Sequence, residues 1–354
     1  EILARWGLLG TLAATGAPPI CRHMTFDVGP FALRGCIPDA NDGMGGFCPR
    51  RTVLDKLLVD AAAEAGVEVR EGFTVDELLV TGDVVVGIRG HGRNGRPVEE
   101  HARMVIGADG VNSFVARATR APEYDVRPVA ACGYYSYFSG VRQDDIELYV
   151  RDHHAFGGAP TNQGLHLVMV NWPAGDFQAV RADTESHVWR ALEPAPDFGA
   201  RVRDGRREEK WYGTSGVPGF FRKPYGRGWA LVGDASYNRD PITAQGISDA
   251  FIEAEMLATA LGTVWTGAAS FEDRMAAHEL ARNERVRPMY EFTGELATLE
   301  PPPPEMRALF RALHGNRRGT DAFLSAITGA IPLPDFLSDE NVGRIMAAAR
   351  YVES

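Results

Sequence analysis

Two aspartates stand where an apolar run gives out into glycine: Asp109 in "MVIGADGVNSFVAR" and Asp234 in "WALVGDASYNRDPITAQGISDA". A carboxylate at the carboxyl end of a strand can hold a ligand's hydroxyls, while glycine lets neighbouring backbone amides come close to its flat or anionic part. In the second stretch, Trp229 to Val232 ends in Gly233 and Asp234, a polar loop carries Pro241, and a helical pattern opens on Gln245, Gly246 and Ile247. Proline there pre-sets the chain near the helix entrance and removes a donor that would go unpaired. The helix start favours a nearby anion by ~0.3 to 1 kcal/mol when exposed and by up to about 2 when partly buried. An anionic cofactor ring or phosphate is the expected occupant. The first stretch keeps two readings: Asp109 and Gly110 contact a ligand, or the loop is a solvated turn capped by Asp109.

Side chains that could move protons are fewer. Tyr135, Tyr137 and His154 are the candidates for proton carriers or substrate hydrogen-bonders, against the competing reading that each is a satisfied structural hydroxyl or ring. His153 and His154, neighbours in an expected strand, would point to opposite faces and could not share a metal. No metal site is expected. The chain has neither a G-x-S-x-G elbow nor an H-E-x-x-H helix. Such a pattern suits chemistry carried by a cofactor, with the protein supplying position and electrostatics. "GHGRNG" has the G-x-G-x-x-G spacing at Gly90, Gly92 and Gly95, but Pro97 and a strand-like run follow it where a phosphate-binding helix would be needed. A hairpin loop is expected there.

The elements that must position these groups alternate between α and β. Thr52 to Ala65 reads as a helix with Val53, Leu54, Leu57, Leu58 and Ala61 on one face and Gly66 as its cap. Val67 to Val69 reads as a short strand, Phe73 to Ile106 as an antiparallel meander, and Met104 to Ile106 as a buried strand. From about Val126 to Phe221, aromatic and β-branched runs spaced by turns read as a second, sheet-based domain with a helix at Asp183 to Leu192. Its aromatic residues are numerous enough to line an apolar pocket, although most are expected to fill the core. Ile2 to Leu12 reads as one helix, the last third as mostly helical, and "EPPPPEM" as a stiff spacer before another helix. The amphipathic run after Ser270 is expected to pack on the cofactor domain or on a partner chain, which allows a homodimer.

With 354 residues, 45% hydrophobic and 24% charged, the chain is expected to be water-soluble and to bury a sizeable core. Its net charge of −10 argues against broad phosphate-backbone binding, so neither nucleic acid nor membrane is an expected partner. Four cysteines, Cys21, Cys36, Cys48 and Cys132, make no disulfide framework and lack zinc spacing, which fits a reducing cytoplasm. Glu1 falls in a helix already under way, so the natural start is expected upstream.

"GDASYNRDPITAQGISDA" resembles the G-D motif of the p-hydroxybenzoate-hydroxylase-like, group A flavoprotein monooxygenases, and "GADGVNSFVAR" resembles their D-G motif in the same order. "CPRRTVLDKLLVDAA" is similar to their arginine-bearing helix entry. The resemblance implies an α/β (α+β) fold: a Rossmann-like FAD-binding domain with an inserted β-sheet substrate domain and a helical C-terminus. The expected boundaries are 1–125 and 226–285 for the flavin domain, 126–225 for the sheet domain and 286–354 for the helical region. By resemblance, Gly233 and Asp234 meet the ribityl chain, with Asp234 hydrogen-bonding it. The backbone from Gln245 through Gly246 to Ile247 meets the pyrimidine end of the isoalloxazine, and Pro241 belongs to the motif. Asp109 and Gly110 contribute to the FAD site and to contacts tied to NAD(P)H use, and Arg50 or Arg51 lies near the ribityl or diphosphate side. The motif departs from the family at Tyr237, Ala244 and Ser248, and the family's leading strand and G-x-G-x-x-G are not within this chain.

The implied activity is that of an FAD-dependent monooxygenase of secondary metabolism. NAD(P)H reduces FAD, and a flavin C4a-hydroperoxide inserts one oxygen atom into a small aromatic or polyketide-like substrate. Two alternatives stand beside it: a flavin-free homologue catalysing a non-redox cyclisation, hydrolysis or isomerisation in the retained pocket, and a binding protein without turnover.

Overall fold

The computed structural model describes residues 2–15, 20–37 and 45–352. The chain forms two compact units, one of residues 1–61, 129–216 and 295–354, the other of residues 62–128 and 217–294. Residues 1–61, expected with the flavin domain, thus belong with the sheet segment. The division falls inside two helices, Arg51–Glu64 and Phe271–Leu296.

In the first unit an eight-stranded sheet runs in the order Arg206–Arg207, Ala131–Ser139, Leu165–Pro173, His154–Pro160, Ile146–Arg151, His23–Asp27, Ala32–Cys36, with Tyr212–Thr214 also on Ala131–Ser139. All pairs are antiparallel except His23–Asp27 with Ile146–Arg151. Alternation sorts the side chains by face. Tyr134, Phe138, Val168, Val170 and Phe156 turn to one side and pack against Val188, Leu192, Phe198 and Val202 of the helices Thr184–Leu192 and Pro196–Asp204. Tyr135, between Tyr134 and Ser136, points the other way and is 41% exposed. Thr214 sits opposite Gly133, so the two ends of segment 129–216 are neighbours in one sheet. At the far edge Phe26 meets Phe310 and Phe323 of the helices Pro304–Leu313 and Arg317–Ile327.

The second unit holds three small sheets. The meander is Thr74–Thr81, Val84–His91, Pro97–His101, antiparallel throughout, and "GHGRNG" turns between its last two strands as expected for a hairpin. Tyr225–Gly226, Trp229–Leu231 and Val105–Gly107 form the second sheet, and Tyr237–Asn238, Gly219–Arg222 and Glu123–Arg127 the third. The helix Arg51–Glu64 buries Leu54 and Leu57, and Gly66 takes φ +92°, the left-handed cap conformation.

Local expectations fail where backbone geometry overrides side-chain pattern. Val67 to Val69 forms no strand, Gly7 at φ +72° splits the N-terminal helix into Ile2–Arg5 and Leu9–Ala14, and Ile106, on an edge strand, is 44% exposed. His153 is not in a strand at all. It occupies the two-residue turn before His154 with φ +59°.

Helix Phe271–Leu296 encloses His278, whose ring nitrogens have no hydrogen-bond partner among the described residues. Burial first, then Arg282 and Arg274, lower its pKa from 6.5 to about 4. Above the unfolded value both states are neutral and the residue contributes nothing to pH dependence. Below it the unfolded chain takes the proton first, so stability is lost as pH falls, by about 2 kcal/mol near pH 5 and about 3 near pH 4. Urea denaturation of wild type and His278→Asn should therefore diverge between neutral and acid pH. Parallel pH profiles would contradict this.

Candidate cofactor site

Two strands build the floor of the site. Val105–Gly107 and Trp229–Leu231 run parallel, with Val105 opposite Trp229 and Gly107 opposite Leu231, so both aspartate loops leave the same edge. Val232 N–H extends the pairing, donating to the Gly107 carbonyl at 3.0 Å. Trp229, Ala230 and Leu231 are buried, which fixes this short strand by burial more than by length. Gly107 has no room for a side chain: a Cβ would lie 2.8 Å from Cβ of Val115 and 2.9 Å from Cδ2 of Leu231.

In the first loop the carboxylate of Asp109 accepts from the amides of Phe114 at 2.7 Å and Val115 at 3.1 Å, while Ser113 Oγ accepts from Ala116 N–H at 2.9 Å. Asp109 therefore caps the helix Phe114–Thr119, with one oxygen, Oδ2, taking both bonds. Gly110 follows at φ +77°. The capping reading is a fact of the structure and leaves Oδ1 outside these two bonds.

In the second loop Gly233 turns the chain at φ +62°, and from Gly233 to Arg239 every residue is buried except Asp234. The loop is held from behind. Glu253, from the helix Gly246–Trp265, accepts from Gly233 N–H at 2.7 Å and from the Ser236 hydroxyl, and lies 3.7 Å from Nη1 of Arg282. Arg282, 1% exposed, donates to the carbonyls of Ser236 at 3.2 Å and Arg222 at 3.0 Å and to Tyr124 Oη at 2.9 Å. Arg222 joins the two loops directly. Its guanidinium donates to the Ala235 carbonyl at 3.0 Å, the Val111 carbonyl at 3.3 Å and the Glu123 carboxylate at 2.8 Å. Burial raises the pKa of Glu253, opposed by Arg282. Glu253, Arg222 and Arg282 escape sequence reasoning because isolated charged residues read as surface. The one local signal was Glu253's position on the helix, one turn beyond Asp249.

The helix entrance completes the site. Pro241–Thr243 makes a single 3₁₀ turn with the Asp240 carboxylate accepting from Ile242 N–H at 3.0 Å, and Ala244 takes φ +52° before Gln245. Apart from its chain neighbours and its own helix backbone, a Cβ on Gly246 would have Oδ1 of Asp234, at 4.0 Å, as its nearest atom among the described residues. The exposed carboxylate thus sits beside the first amides of a 20-residue helix, with Ile247, 39% exposed, next to it. Arg239 is buried underneath, donating to Gln245 Oε1 at 2.8 Å and Asp249 Oδ2 at 2.7 Å. An exposed acceptor, an open glycine, amide donors and an apolar side chain in one place fit a ligand with a hydroxylated chain joined to a flat, electron-rich ring.

The first unit gathers other expected residues. Arg50 N–H donates to Asn162 Oδ1 at 2.8 Å, and its guanidinium pairs with Glu209 and lies 4.4 Å from the Tyr137 ring centroid. Tyr212 donates to Glu209 at 3.0 Å, and its ring stacks on Tyr135 at 5.4 Å, which in turn meets Tyr137 edge-on at 5.9 Å. Burial raises the pKa of Tyr137, and the hydrogen bond to Glu209 raises that of Tyr212, so both stay protonated donors at neutral pH. Arg51 is apart from this cluster, paired with Asp55 at 2.7 Å on an exposed helix face. His154 is apart as well. It stacks on Phe156, on the sheet face opposite Tyr135, with its ring nitrogens 2.9 Å from the Asp152 carbonyl and 3.2 Å from that of Ala191. Those contacts give it a structural part in that layer.

Among the described residues no group of three or more His, Cys, Asp or Glu could hold a metal, and no helix is long and apolar enough to cross a membrane. A family model described as "FAD binding domain" matches residues 1–293. The chain is 30% identical over 226 residues to a digeranylgeranylglycerophospholipid reductase of Methanosarcina mazei, covering 60% of this chain and 52% of that protein. A second such reductase, from Methanopyrus kandleri, is 29% identical over 58% of this chain and 53% of its own length. The chain therefore spans about half the length of these curated relatives. Among solved structures, a flavoprotein/dehydrogenase of Cytophaga hutchinsonii has a TM-score of 0.80 at 17% identity, covering 99% of this chain and 87% of that one. The myxobacterial chondrochloren halogenase CndH gives 0.75 at 21%, covering 99% and 85%, and PqsL of P. aeruginosa 0.71 at 21%, covering 85% and 83%. These likenesses are to the fold. It is the match of the FAD binding domain family model over residues 1–293 that shows this chain to belong to the p-hydroxybenzoate-hydroxylase-like, group A family of FAD-binding flavoproteins.

Proposed function

We propose that the protein is an FAD-dependent monooxygenase, reduced by NAD(P)H, that transfers one oxygen atom of dioxygen to a small aromatic or polyketide-like substrate. The observation that carries this reading is the exposed Asp234 carboxylate beside the open Gly246 helix start, at the end of a strand paired in parallel with the strand that carries the Asp109 loop. FAD, when bound, supplies hydride acceptance and reaction with dioxygen. The chain's own part is binding and orientation. Asp234 accepts hydrogen bonds from the ribityl hydroxyls, and the backbone at Gln245, Gly246 and Ile247 donates to the pyrimidine edge of the ring. The helix start favours a ring that carries negative charge, while Arg239, paired with Asp249, holds Gln245 in place beneath that edge. Gly110 and the Oδ1 atom of Asp109 take the remaining contacts of that loop. In the first unit the Tyr135, Tyr137 and Tyr212 face offers aromatic surface and the Tyr137 hydroxyl to an aromatic substrate, with Arg50 over Tyr137 and Glu209 holding the Tyr212 hydroxyl.

The kinship with reductases favours a second reading, in which the reduced flavin passes its electrons to an organic substrate and not to dioxygen. One experiment separates the two. Full-length protein supplied with FAD should show flavin absorbance, oxidise NAD(P)H faster in air than without oxygen, and place label from isotopic dioxygen in the product. Label from the nicotinamide in an anaerobic product would favour the reductase. A colourless protein in excess FAD would overturn both.

A further inference from the structure

A second cavity is built wholly from the first unit, whereas the cofactor loops belong to the second. Strand Ala32–Cys36 ends the eight-stranded sheet, and the turn at His314–Gly315 and the start of helix Arg317–Ile327 pack beside it. Between them lies a space of about 420 Å³ whose walls include His23, Arg34, Cys36, His314, Gly315 and Arg317. Small-ligand sites usually measure ~300 to 1,000 Å³.

Two guanidiniums and two imidazoles supply N–H donors here, and no carboxylate or carboxamide side chain lines the cavity among the described residues. The Thr320 hydroxyl, also on the wall, already donates to the Leu313 carbonyl at 2.9 Å. A ligand for these walls must therefore accept. Gly315 takes φ +83°, and beyond its chain neighbours a Cβ there would have no atom of the described residues within 4 Å, so the backbone is open to that ligand. Two carboxylates near the arginines offset part of the charge. Asp145 accepts from His23 N–H at 3.1 Å and lies 3.4 Å from His23 Nδ1 and 3.5 Å from Arg34 Nη2. Asp321 accepts from Cys36 N–H at 2.8 Å and lies 3.9 Å from Arg317 Nε. Each carboxylate is anchored by a backbone amide, while the Arg34 and Arg317 side chains are 69% and 81% exposed, so both can turn to a ligand without breaking a close pair. The surrounding chain adds positive charge. From Met306 to Thr320 it carries Arg307, Arg311, Arg317 and Arg318 and no acidic residue, within a protein of net charge −10.

We propose that this cavity binds the phosphate group of a small organic monoester. Phosphate suits it better than a carboxylate, because more acceptor oxygens and a second charge meet guanidinium forks that come from different walls. Arg34 takes the oxygens on the strand side. Arg317, whose Nη2 lies 4.0 Å from Cys36 Sγ, takes those on the helix side, where the start of an 11-residue helix favours the same charge. Ala32 and Leu33 give the organic part an apolar wall.

This site does not depend on the flavin reading, and its test reads binding, not turnover. Phenyl phosphate, inorganic phosphate and benzoate are titrated separately into the protein at fixed ionic strength by isothermal titration calorimetry. The expected result is saturable binding of phenyl phosphate at one site per chain, tighter than inorganic phosphate and tighter than benzoate. Arg34→Gln and Arg317→Gln should each weaken phenyl phosphate about tenfold, the loss of one charged hydrogen-bonding group, and should keep the wild-type Tm because both side chains are exposed. Arg318→Gln removes the same charge from a residue outside the cavity wall and should weaken binding by no more than about twofold. A titration without saturation, an equal loss in Arg318→Gln, or benzoate binding as tightly as phenyl phosphate would overturn the proposal. Inorganic phosphate binding as tightly as its ester would assign the cavity to the free anion and overturn the monoester.

Discussion

Arg282→Met should lower the free energy of unfolding by about 3 to 5 kcal/mol, because it strands the buried Glu253 carboxylate without its cation. The variant also removes donors from the Ser236 and Arg222 carbonyls and from Tyr124 Oη, all within the layer that backs the second loop. Urea denaturation measures the effect. Adding Glu253→Gln to the variant removes the stranded charge and should return part of the loss, so the pair is non-additive. A single-variant loss under ~1 kcal/mol would place Arg282 among ordinary surface arginines and contradict the buried-pair account. The double variant also separates fold from site. The amide oxygen that Glu253→Gln introduces can still accept from Gly233 N–H, so FAD affinity should recover along with stability if that hydrogen bond sets the loop.

Asp234→Ala is expected to behave in the opposite way. The residue is exposed among buried neighbours, so the apo protein should lose no more than about 1 kcal/mol, the scale of an exposed hydrogen-bonding group, and far less than with Arg282→Met. FAD binding should weaken by ~10- to 100-fold, the equivalent of one or two charge-assisted hydrogen bonds at about 1.5 to 3 kcal/mol together. Fluorescence titration with FAD reads the change. Unaltered affinity would remove Asp234 from the site, and a collapse in stability would make it a structural residue. The contrast between the two variants is itself informative: one residue holds the loop and the other is what the loop displays.

How much of this was legible in the sequence depended on whether the determinant was local. Gly233, Gly110 and the Gln245–Gly246 entrance declare themselves because each imposes a backbone conformation or an open approach that few residue types allow. The aromatic run around Tyr134 to Phe138 was readable as a strand, and the observed register puts Tyr135 and Tyr137 on one face of it. Arg222, Glu253 and Arg282 were not readable, since what defines them is a set of partners spread over many elements. His154 shows the same gap from the other side. Its identity suggested proton chemistry, while its contacts are two backbone carbonyls and a phenyl ring. Arg50 and Arg51 are adjacent in sequence, yet the helix start sends one to Glu209 and leaves the other on solvent. Asp109 was open between two readings, and the capping one is observed.

The adjacency of Thr214 and Gly133 bears on how the molecule comes together. The parallel pairing of Gly107 with Leu231 must close a very long chain loop, and long closures are slow and entropically unfavourable. Once the intervening sheet has formed, its two ends meet and the open loop shrinks to roughly a third, which lightens the closure by about 1 kcal/mol. The inserted segment thus acts as a splint for distant strands, and a nick or truncation inside it should slow assembly of the strand pair that carries the two aspartate loops.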